Sequence, residues 1–512
     1  MAALPPEAGV GIIGAGAMGA GIAEVAALAG HRVHLYDNRM GGADTARSAI
    51  ADSLRKRAAR GKLDATRAEE AIGRLMPVHA LGDMVSAALV VEAIVEDLDV
   101  KRKVFRELEV IVAGDAILAS NTSSLPITAI AAGMKHPGRI AGMHFFNPAP
   151  VMPLVEVVRG LATDGAVAER LYDTARAWGK VPVHAASTPG FIVNRCARPF
   201  YGEALRLAAE QAASVATIDA VMRDAGGFRM GPFELMDLIG LDVNYAVSKS
   251  VWEACFHDPR YAPSVLQREL VSAGYFGRKT GRGFYDHAPD AAKAQPHTEP
   301  GHPPPRSVRV AGESPIVTAL AARLRAAGIE VTPVPAAAGV AAGHLVVDDA
   351  LLVPSDGRTA TAIAAASGRG DCVVVDLALA YATCPRLAAA RADTCSDAGW
   401  AACTGALQAA GIAVSRVDDV AGLVVMRTVA MLANEAADAV VQGIATATDV
   451  DLAMRNGVNY PLGPLAWGDA IGVGHVEAVL RNLEAHYGDP RYRRSPLVAR
   501  RVAAGRPLAS EG

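Results

Sequence analysis

No CxxC pair occurs in this chain: Cys196, Cys255, Cys372, Cys384, Cys395 and Cys403 are scattered over 512 residues. That spacing supports neither a disulfide framework nor a zinc site, so buried free thiols and no metal are the expectation. No apolar run approaches the ~18 residues of a membrane span. The N-terminus has neither a basic start nor a signal-type apolar core, so the expected compartment is the cytoplasm, with no membrane partner. A charge excess is missing too. Fifty Lys and Arg against 53 Asp and Glu leave a net charge of -3, which argues against a nucleic-acid partner. Any anionic ligand must then be met by local basic clusters. What remains is an Ala- and Gly-rich composition, 51 % hydrophobic and 20 % charged, long enough for two to four domains of a soluble α/β protein.

The apolar run Val10-Gly11-Ile12-Ile13 leads into Gly14-Ala15-Gly16-Ala17-Met18-Gly19, which opens a helical pattern. Gly14 allows a tight turn, Gly16 lets the backbone approach a pyrophosphate, and Gly19 lets the helix pack closely on the strand. The helix N-terminus then faces phosphate with unpaired N–H groups and its positive dipole end. A second strand, 32–36, ends at Asp37, placed to accept hydrogen bonds from ribose hydroxyls and to repel a 2′-phosphate. The pattern predicts NAD rather than NADP, with Arg39 close enough to soften the preference.

Alternating strand and helix patterns continue through strands at 88–93, 116–120, 139–145, 154–158 and 181–184, completing a doubly wound sheet over residues 1–187. Strand signals vanish over 188–286, where Ala/Leu-rich helices predict an all-helical domain. Residues 287–306 contain Pro289, Pro296, Pro300 and Pro303-Pro304-Pro305 and read as an extended linker. Strand and helix patterns return over 307–418, but only Gly312 remains of a glycine motif. That segment reads as a Rossmann-like domain without a dinucleotide site. Residues 419–512 repeat the helical domain. Gly190 to Val243 superposes on Gly422 to Val476 at an almost constant spacing of 232, matching Arg195 with Arg427, Glu203 with Glu435, Asp219 with Asp451 and Asp237 with Asp469. Asn194 becomes Met426. The first copy is therefore expected to carry chemistry and the second packing.

His144 ends an apolar strand at the sheet edge that should hold the cofactor, where an imidazole could take the proton of a substrate hydroxyl. Glu156, between Val155 and Val157, is a carboxylate in an apolar strand. A buried charge needs a partner, and His144 is the candidate. So paired, Glu156 would fix the imidazole tautomer, as the acid of a Ser-His-Asp triad does. Plainer readings stand beside these: Glu156 on a surface lysine, Asn194 as a helix cap, Ser123 as a turn residue, and Arg55-Lys56-Arg57 as a solvated helix face.

Ser120-Asn121-Thr122-Ser123-Ser124, His144-Phe145-Phe146-Asn147-Pro148 and Pro189-Gly190-Phe191-Ile192-Val193-Asn194-Arg195, together with the run Val91 to Glu96 and the segment Gly277 to Tyr285, resemble the L-3-hydroxyacyl-CoA dehydrogenase family. The match covers about Val10 to Tyr285. Length and duplication further resemble the two-repeat bacterial form associated with phenylacetate catabolism. The resemblance implies a Rossmann-type NAD-binding domain followed by an all-α, 6-phosphogluconate-dehydrogenase-like domain. It implies NAD-dependent interconversion of (S)-3-hydroxyacyl-CoA and 3-oxoacyl-CoA, with 3-hydroxybutyryl and 3-hydroxyadipyl thioesters both open.

By the same resemblance His144 is the base, Glu156 orients it, and Ser123 and Asn194 hydrogen-bond the reacting oxygen or thioester. NAD contacts fall to Asp37, Glu96, Lys101, Ser123, Asn147 and Lys279. Coenzyme A contacts fall to Ser53 and Arg60, the latter where the family more often has lysine. Single-repeat relatives pair through the helical domain, so the chain is either a homo-oligomer or carries its second copy as an internal partner. Two other readings remain at this level: a non-enzymatic NAD(H)-binding protein, which would have no use for the His144/Glu156 pair, and another β-hydroxyacid dehydrogenase, which would be expected to use a lysine where Asn194 stands.

Overall fold

The computed structural model describes residues 2–340 and 343–510, in two compact units. The first unit holds the residues up to Arg195 together with 439–458. Its sheet has eight strands, β1 (Gly9–Ile13), β2 (Val33–Tyr36), β3 (Leu75–Val78), β4 (Ala87–Glu92), β5 (Ile117–Ser120), β6 (Ile140–Phe145), β7 (Leu154–Arg159) and β8 (Val181–Ala186). They are ordered β3-β2-β1-β4-β5-β6-β7-β8. All neighbours are parallel except β6 and β7. Helices cover both faces, so β4 to β6 read as nearly unbroken apolar runs.

The helix after the glycine turn starts at Ala17. Asp97 caps helix Leu98–Ile111, accepting from the N–H groups of Asp99 and Val100. One element in this unit comes from the second helical copy. Helix Ala447–Gly457 buries Ala447, Val450, Ala453, Met454 and Gly457 and packs on β7 and β8. Just before it, the carbonyl of Ile444 accepts the N–H of Ala186 at 2.8 Å.

The second unit holds residues 196–438 and 459–510. Its sheet comprises β9 (Val308–Ala311), β10 (Val331–Pro333), β11 (His344–Val347), β12 (Ala350–Pro354), β13 (Cys372–Val375), β14 (Arg386–Arg391) and β15 (Ala413–Arg416), ordered β10-β9-β11-β12-β13-β14-β15. It is mixed, because β11 pairs antiparallel with both β9 and β12. The β11–β12 hairpin closes through Asp348-Asp349, with Asp348 at φ 50°, the left-handed backbone that two-residue hairpins demand. Residues 287–306 contain no helix or strand. They are nevertheless tied down: Glu299 N–H donates to the Val414 carbonyl and His302 N–H to Gln408 Oε1.

The helical copies meet in this unit by reciprocal exchange. Each carries a Pro-Arg-Tyr turn, Pro259–Tyr261 and Pro490–Tyr492. Tyr261 donates its hydroxyl to Glu435 at 2.6 Å, and Tyr492 donates its own to Glu203 at 3.0 Å. Arg427, fully buried, bonds Glu203 at 2.7 Å and Glu210 at 2.9 Å. This is the isologous pattern of a two-fold dimer, written within one chain. The exchange extends to the sheets: the Ala212 carbonyl of the first copy accepts the N–H of Asp418 at 2.8 Å, the counterpart of the Ile444 to Ala186 bond.

Candidate active site

Antiparallel register between β6 and β7 sets His144 opposite Glu156, so both side chains leave the same face of the sheet. His144 Nδ1 lies 2.6 Å from Glu156 Oε2, and both residues are buried. The other carboxylate oxygen, Oε1, accepts the backbone N–H groups of Ile192 and Val193, each at 3.0 Å. Those donors are aimed by a turn in which Gly190 (φ 75°) and Phe191 (φ 47°) are both left-handed. For phenylalanine that conformation is strained, and the surroundings must hold it there. Glu156 is thus partnered by the ring and two amides, and no lysine is involved. With Nδ1 committed to the carboxylate, the neutral ring carries its proton there and leaves the Nε2 lone pair free. Phe146 and Phe191 flank the imidazole, with ring centroids at 4.5 and 5.8 Å.

The serine-rich turn after β5 is built on Glu96. Its Oε1 accepts from Thr122 Oγ1 (2.5 Å), Ser123 N–H (3.1 Å), Ser124 N–H (3.2 Å) and Ser124 Oγ (2.8 Å). Burial drives this carboxyl's pKa up, but the Thr122 hydrogen bond, the charge of Lys101 and the Ser124 hydroxyl outweigh it and hold it below the usual carboxylate range. Lys101 is buried between Glu92 Oε1 (2.6 Å) and Glu96 Oε2 (3.2 Å), and Glu92 also takes the hydroxyl of Ser120. Asn121 Oδ1 accepts the Phe145 N–H at 2.8 Å, locking the end of β6 beside His144. Asn194 Nδ2 reaches the Ser123 carbonyl at 3.5 Å. His144, Glu156, Ser123 and Asn194 therefore share one region of the first unit.

Glu92, Asn121, Thr122 and the two donating amides were not singled out from sequence. Glu92 carried the same kind of signal as Glu156, a carboxylate in an apolar strand.

The residues of the glycine motif fit a dinucleotide. A Cβ on Gly14 (φ 97°) would lie 2.6 Å from the Ala93 carbonyl oxygen, and one on Gly19 would lie 1.8 Å from that of Gly14. A Cβ on Gly16 would meet nothing, so the space above it is open. Helix Ala17–Leu28 has no side-chain cap, which leaves its first N–H groups for a phosphate. Beside it lies a cleft of about 530 Å³ lined by Gly14, Gly16, Asp37, Arg39, Ile94 and Val95. Asp37 accepts the Ala15 N–H at 2.8 Å, and the Arg39 guanidinium forks onto it at 2.9 and 3.1 Å. Those Arg39 bonds hold its pKa at about 2.

Ser53 and Arg60 are exposed on helix Gly42–Ala59 and its C-cap. In the neighbouring basic run, Arg55 pairs with Glu69 at 2.7 Å and Arg57 with Glu24 at 2.5 Å. Both partners of the Arg55 bridge are exposed on the helix surface. Asn147 is exposed just beyond β6. Lys279 belongs to the second unit, where it pairs with Asp242 at 2.6 Å.

A dinucleotide-binding fold with a buried His–Glu pair on the neighbouring strands β6 and β7 is the arrangement of a dehydrogenase. Comparison with known proteins gives the family. The NAD-binding domain of 3-hydroxyacyl-CoA dehydrogenase matches residues 9–188, its C-terminal domain matches twice, over 190–287 and 422–512, and the 3-hydroxybutyryl-CoA dehydrogenase reduced Rossmann-fold domain matches 352–420. A 3-hydroxyadipyl-CoA dehydrogenase of Escherichia coli K12 is 44 % identical over 96 % of this chain and 97 % of its own length. A crystal structure of 3-hydroxybutyryl-CoA dehydrogenase from the same species superposes with a TM-score of 0.88 at 42 % identity, covering 97 % of this chain and 98 % of that one. A 3-hydroxybutyryl-CoA dehydrogenase of Mycobacterium tuberculosis is 41 % identical over 54 % of this chain and 98 % of its own length. The chain belongs to the 3-hydroxyacyl-CoA dehydrogenase family and is an NAD-dependent oxidoreductase of that class. No helix among the described residues is long and apolar enough to cross a membrane.

Proposed function

We propose that the chain interconverts a short-chain (S)-3-hydroxyacyl-CoA and its 3-oxo thioester, with the six-carbon dicarboxylic 3-hydroxyadipyl group as first candidate and 3-hydroxybutyryl as second. The observation that carries the reaction is the Nδ1–Oε2 contact of 2.6 Å between His144 and Glu156, which leaves Nε2 as the free base. The dicarboxylic preference rests on the 3-hydroxyadipyl-CoA dehydrogenase that this chain matches across both copies.

In oxidation, His144 Nε2 takes the substrate hydroxyl proton and Glu156 stabilises the imidazolium that forms. A bound NAD would supply the acceptor for the hydride that leaves the carbinol carbon. In reduction, the imidazolium returns its proton to the oxygen. Ser123 and Asn194 hold the reacting oxygen or the thioester, and Glu96 and Lys101 serve by fixing the Ser123 turn. Gly16 admits the pyrophosphate, Gly14 and Gly19 hold the turn and helix that place it, and Asp37 receives the ribose, with Asn147 and Lys279 as further cofactor contacts. Ser53 and Arg60 receive coenzyme A, a guanidinium holding phosphate at least as well as an ammonium. The second helical copy stands in for a partner subunit, an arrangement supported by the Tyr261–Glu435 and Tyr492–Glu203 exchange.

The test of substrate is NADH consumption with 3-oxoadipyl-CoA and acetoacetyl-CoA side by side. A higher kcat/KM for the adipyl thioester is expected. A clear preference for acetoacetyl-CoA would assign the four-carbon substrate instead.

A further inference from the structure

We propose that the second helical copy positions the catalytic pair, and that Gly457 is the residue through which it acts. This rests on the dehydrogenase reading of His144 and Glu156. Helix Ala447–Gly457 lies on β7 and β8, and its last residue lies against Leu154 and Val193. A Cβ on Gly457 would sit 2.6 Å from Leu154 Cδ2 and 3.0 Å from Val193 Cγ2. Both neighbours lead to the same carboxylate. Leu154 is two residues before Glu156 on β7 and shares its face. Val193 donates its N–H to Glu156 Oε1.

Glycine at a helix end without positive φ has no conformational reason to be there, and it costs about 1 kcal/mol against alanine in a helix. Among the described glycines, Gly457 does not appear with positive φ, so close approach is its physical reason. The internal repeat supplies a control. At the 232-residue spacing, the counterpart of Gly457 is Ala225, following helix Val215–Asp224, which packs on β14. There a Cβ is tolerated, and position 388 on β14 is alanine where β7 has Glu156. The glycine occurs in the copy that backs the dyad. Two further bonds pin the same segment: Gln442 Oε1 accepts from Arg195 Nη1 at 2.8 Å, next to Asn194, and the Ile444 carbonyl accepts from Ala186. The segment from Gln442 to Gly457 thus braces the loop that carries Asn194 and donates to Glu156. Gly457 is a positioning residue, not a catalytic one.

The experiment uses full-length protein with Gly457→Val, Gly457→Ala and the double variant Gly457→Val/Val193→Ala. A bulky residue should push Val193 and Leu154 away and misplace Glu156, lowering kcat about 100-fold, the scale of a 1 Å misplacement. The dissociation constant for NADH, whose glycine motif is remote in sequence and untouched, should stay unchanged, and so should KM for NADH. Gly457→Ala, with one methyl, should show a smaller loss with the same split. Removing the Val193 methyls should return most of the lost kcat. Wild-type kcat in Gly457→Val would overturn the proposal, as would parallel loss of kcat and NADH affinity or no recovery in the double variant. If Gly457→Val does not fold, Gly457→Ala decides by the same split. Failure of the dehydrogenase reading would look different: the wild-type protein itself would not oxidise NADH with 3-oxoacyl thioesters.

Discussion

His144 and Asp376 hold the same position in two equivalent strand pairs. His144 faces Glu156 across β6 and β7, and Asp376, at the 232-residue spacing, donates its N–H to the carbonyl of Ala388, the counterpart of Glu156. The Asp376 carboxylate accepts the N–H groups of Val424 (3.0 Å), Val425 (2.7 Å) and Met426 (2.9 Å), where Glu156 accepts those of Ile192 and Val193. One copy thus splits its carboxylate between a loop and an imidazole, while the other has backbone donors alone, those of the loop and of Leu377. The second cleft is an apolar cavity of about 210 Å³ lined by Leu377, Met426, Trp467 and Ile471. His475 also lines it, with Nε2 3.0 Å from the Ser355 carbonyl oxygen.

Burial pushes the Asp376 pKa up to about 6, against the pull of its backbone donors. A carboxyl with a raised folded pKa stabilises the fold fully below its unfolded pKa, near 4, and that stability is lost as pH rises through about 6. Two pH units correspond to about 3 kcal/mol. The unfolding free energy of the wild type relative to Asp376→Asn is therefore expected to fall by about that much between pH 4 and 6 in urea titrations. A pH-independent difference would show that the carboxyl is not held up.

Glu156→Gln keeps the shape but cannot stabilise an imidazolium, and His144→Ala removes the base. Each is expected to lower kcat by about 10²–10⁴-fold with little change in NADH affinity, measured by steady-state kinetics and fluorescence titration. Glu156→Ala should also lower the melting temperature, because the Ile192 and Val193 amides lose their buried acceptor.

Removing one partner from a buried ion pair leaves an uncompensated charge. Arg427→Met takes the guanidinium from Glu203 and Glu210 but leaves Glu203 paired with Arg206 at 2.6 Å, so it is expected to destabilise the protein by about 3 kcal/mol, the low end for a broken buried pair, in denaturant unfolding, and Arg427→Met/Glu203→Leu by less than the sum of the single changes. Additive effects would mean that the two residues are not coupled.

Arg39 occupies the carboxylate expected to bind ribose. Asp37→Ser should weaken NADH binding and, by freeing the guanidinium, improve NADPH binding, so the ratio of their dissociation constants should move toward NADPH. A ratio unchanged from wild type would remove Asp37 from cofactor selection.

A chain ending at Asp286 loses Arg427, Glu435 and Tyr492, the second-copy side of the exchange. It is expected to be soluble only as a dimer or to aggregate. A stable monomer in sedimentation would contradict the internal-partner account.

The strand, glycine turn, helix and acid around Gly14 to Asp37 were legible because each obeys a local rule. The His144–Glu156 pair was legible because charges inside apolar strands need partners. Strands β12, β14 and β15 were not, because β14 is alanine-rich and its pairing is set by distant strands. The repeat was visible from Gly190 onward, where glycines, prolines and charges mark the register. It continues back to His144 and Asp376, but those residues differ in type and only the shared strand pairing reveals them. Helix Ala447–Gly457 looked like part of a second helical domain, and no local pattern places it on the first sheet.

The role of His144 as the base is put to the test by NADH oxidation with acetoacetyl-CoA and 3-oxoadipyl-CoA at neutral pH, comparing wild type with His144→Ala under conditions where both bind NADH. Rapid turnover by the wild type and loss of about two orders of magnitude or more in the variant are predicted. Equal rates in the two proteins, or no NADH oxidation by the wild type despite NADH binding, would contradict it.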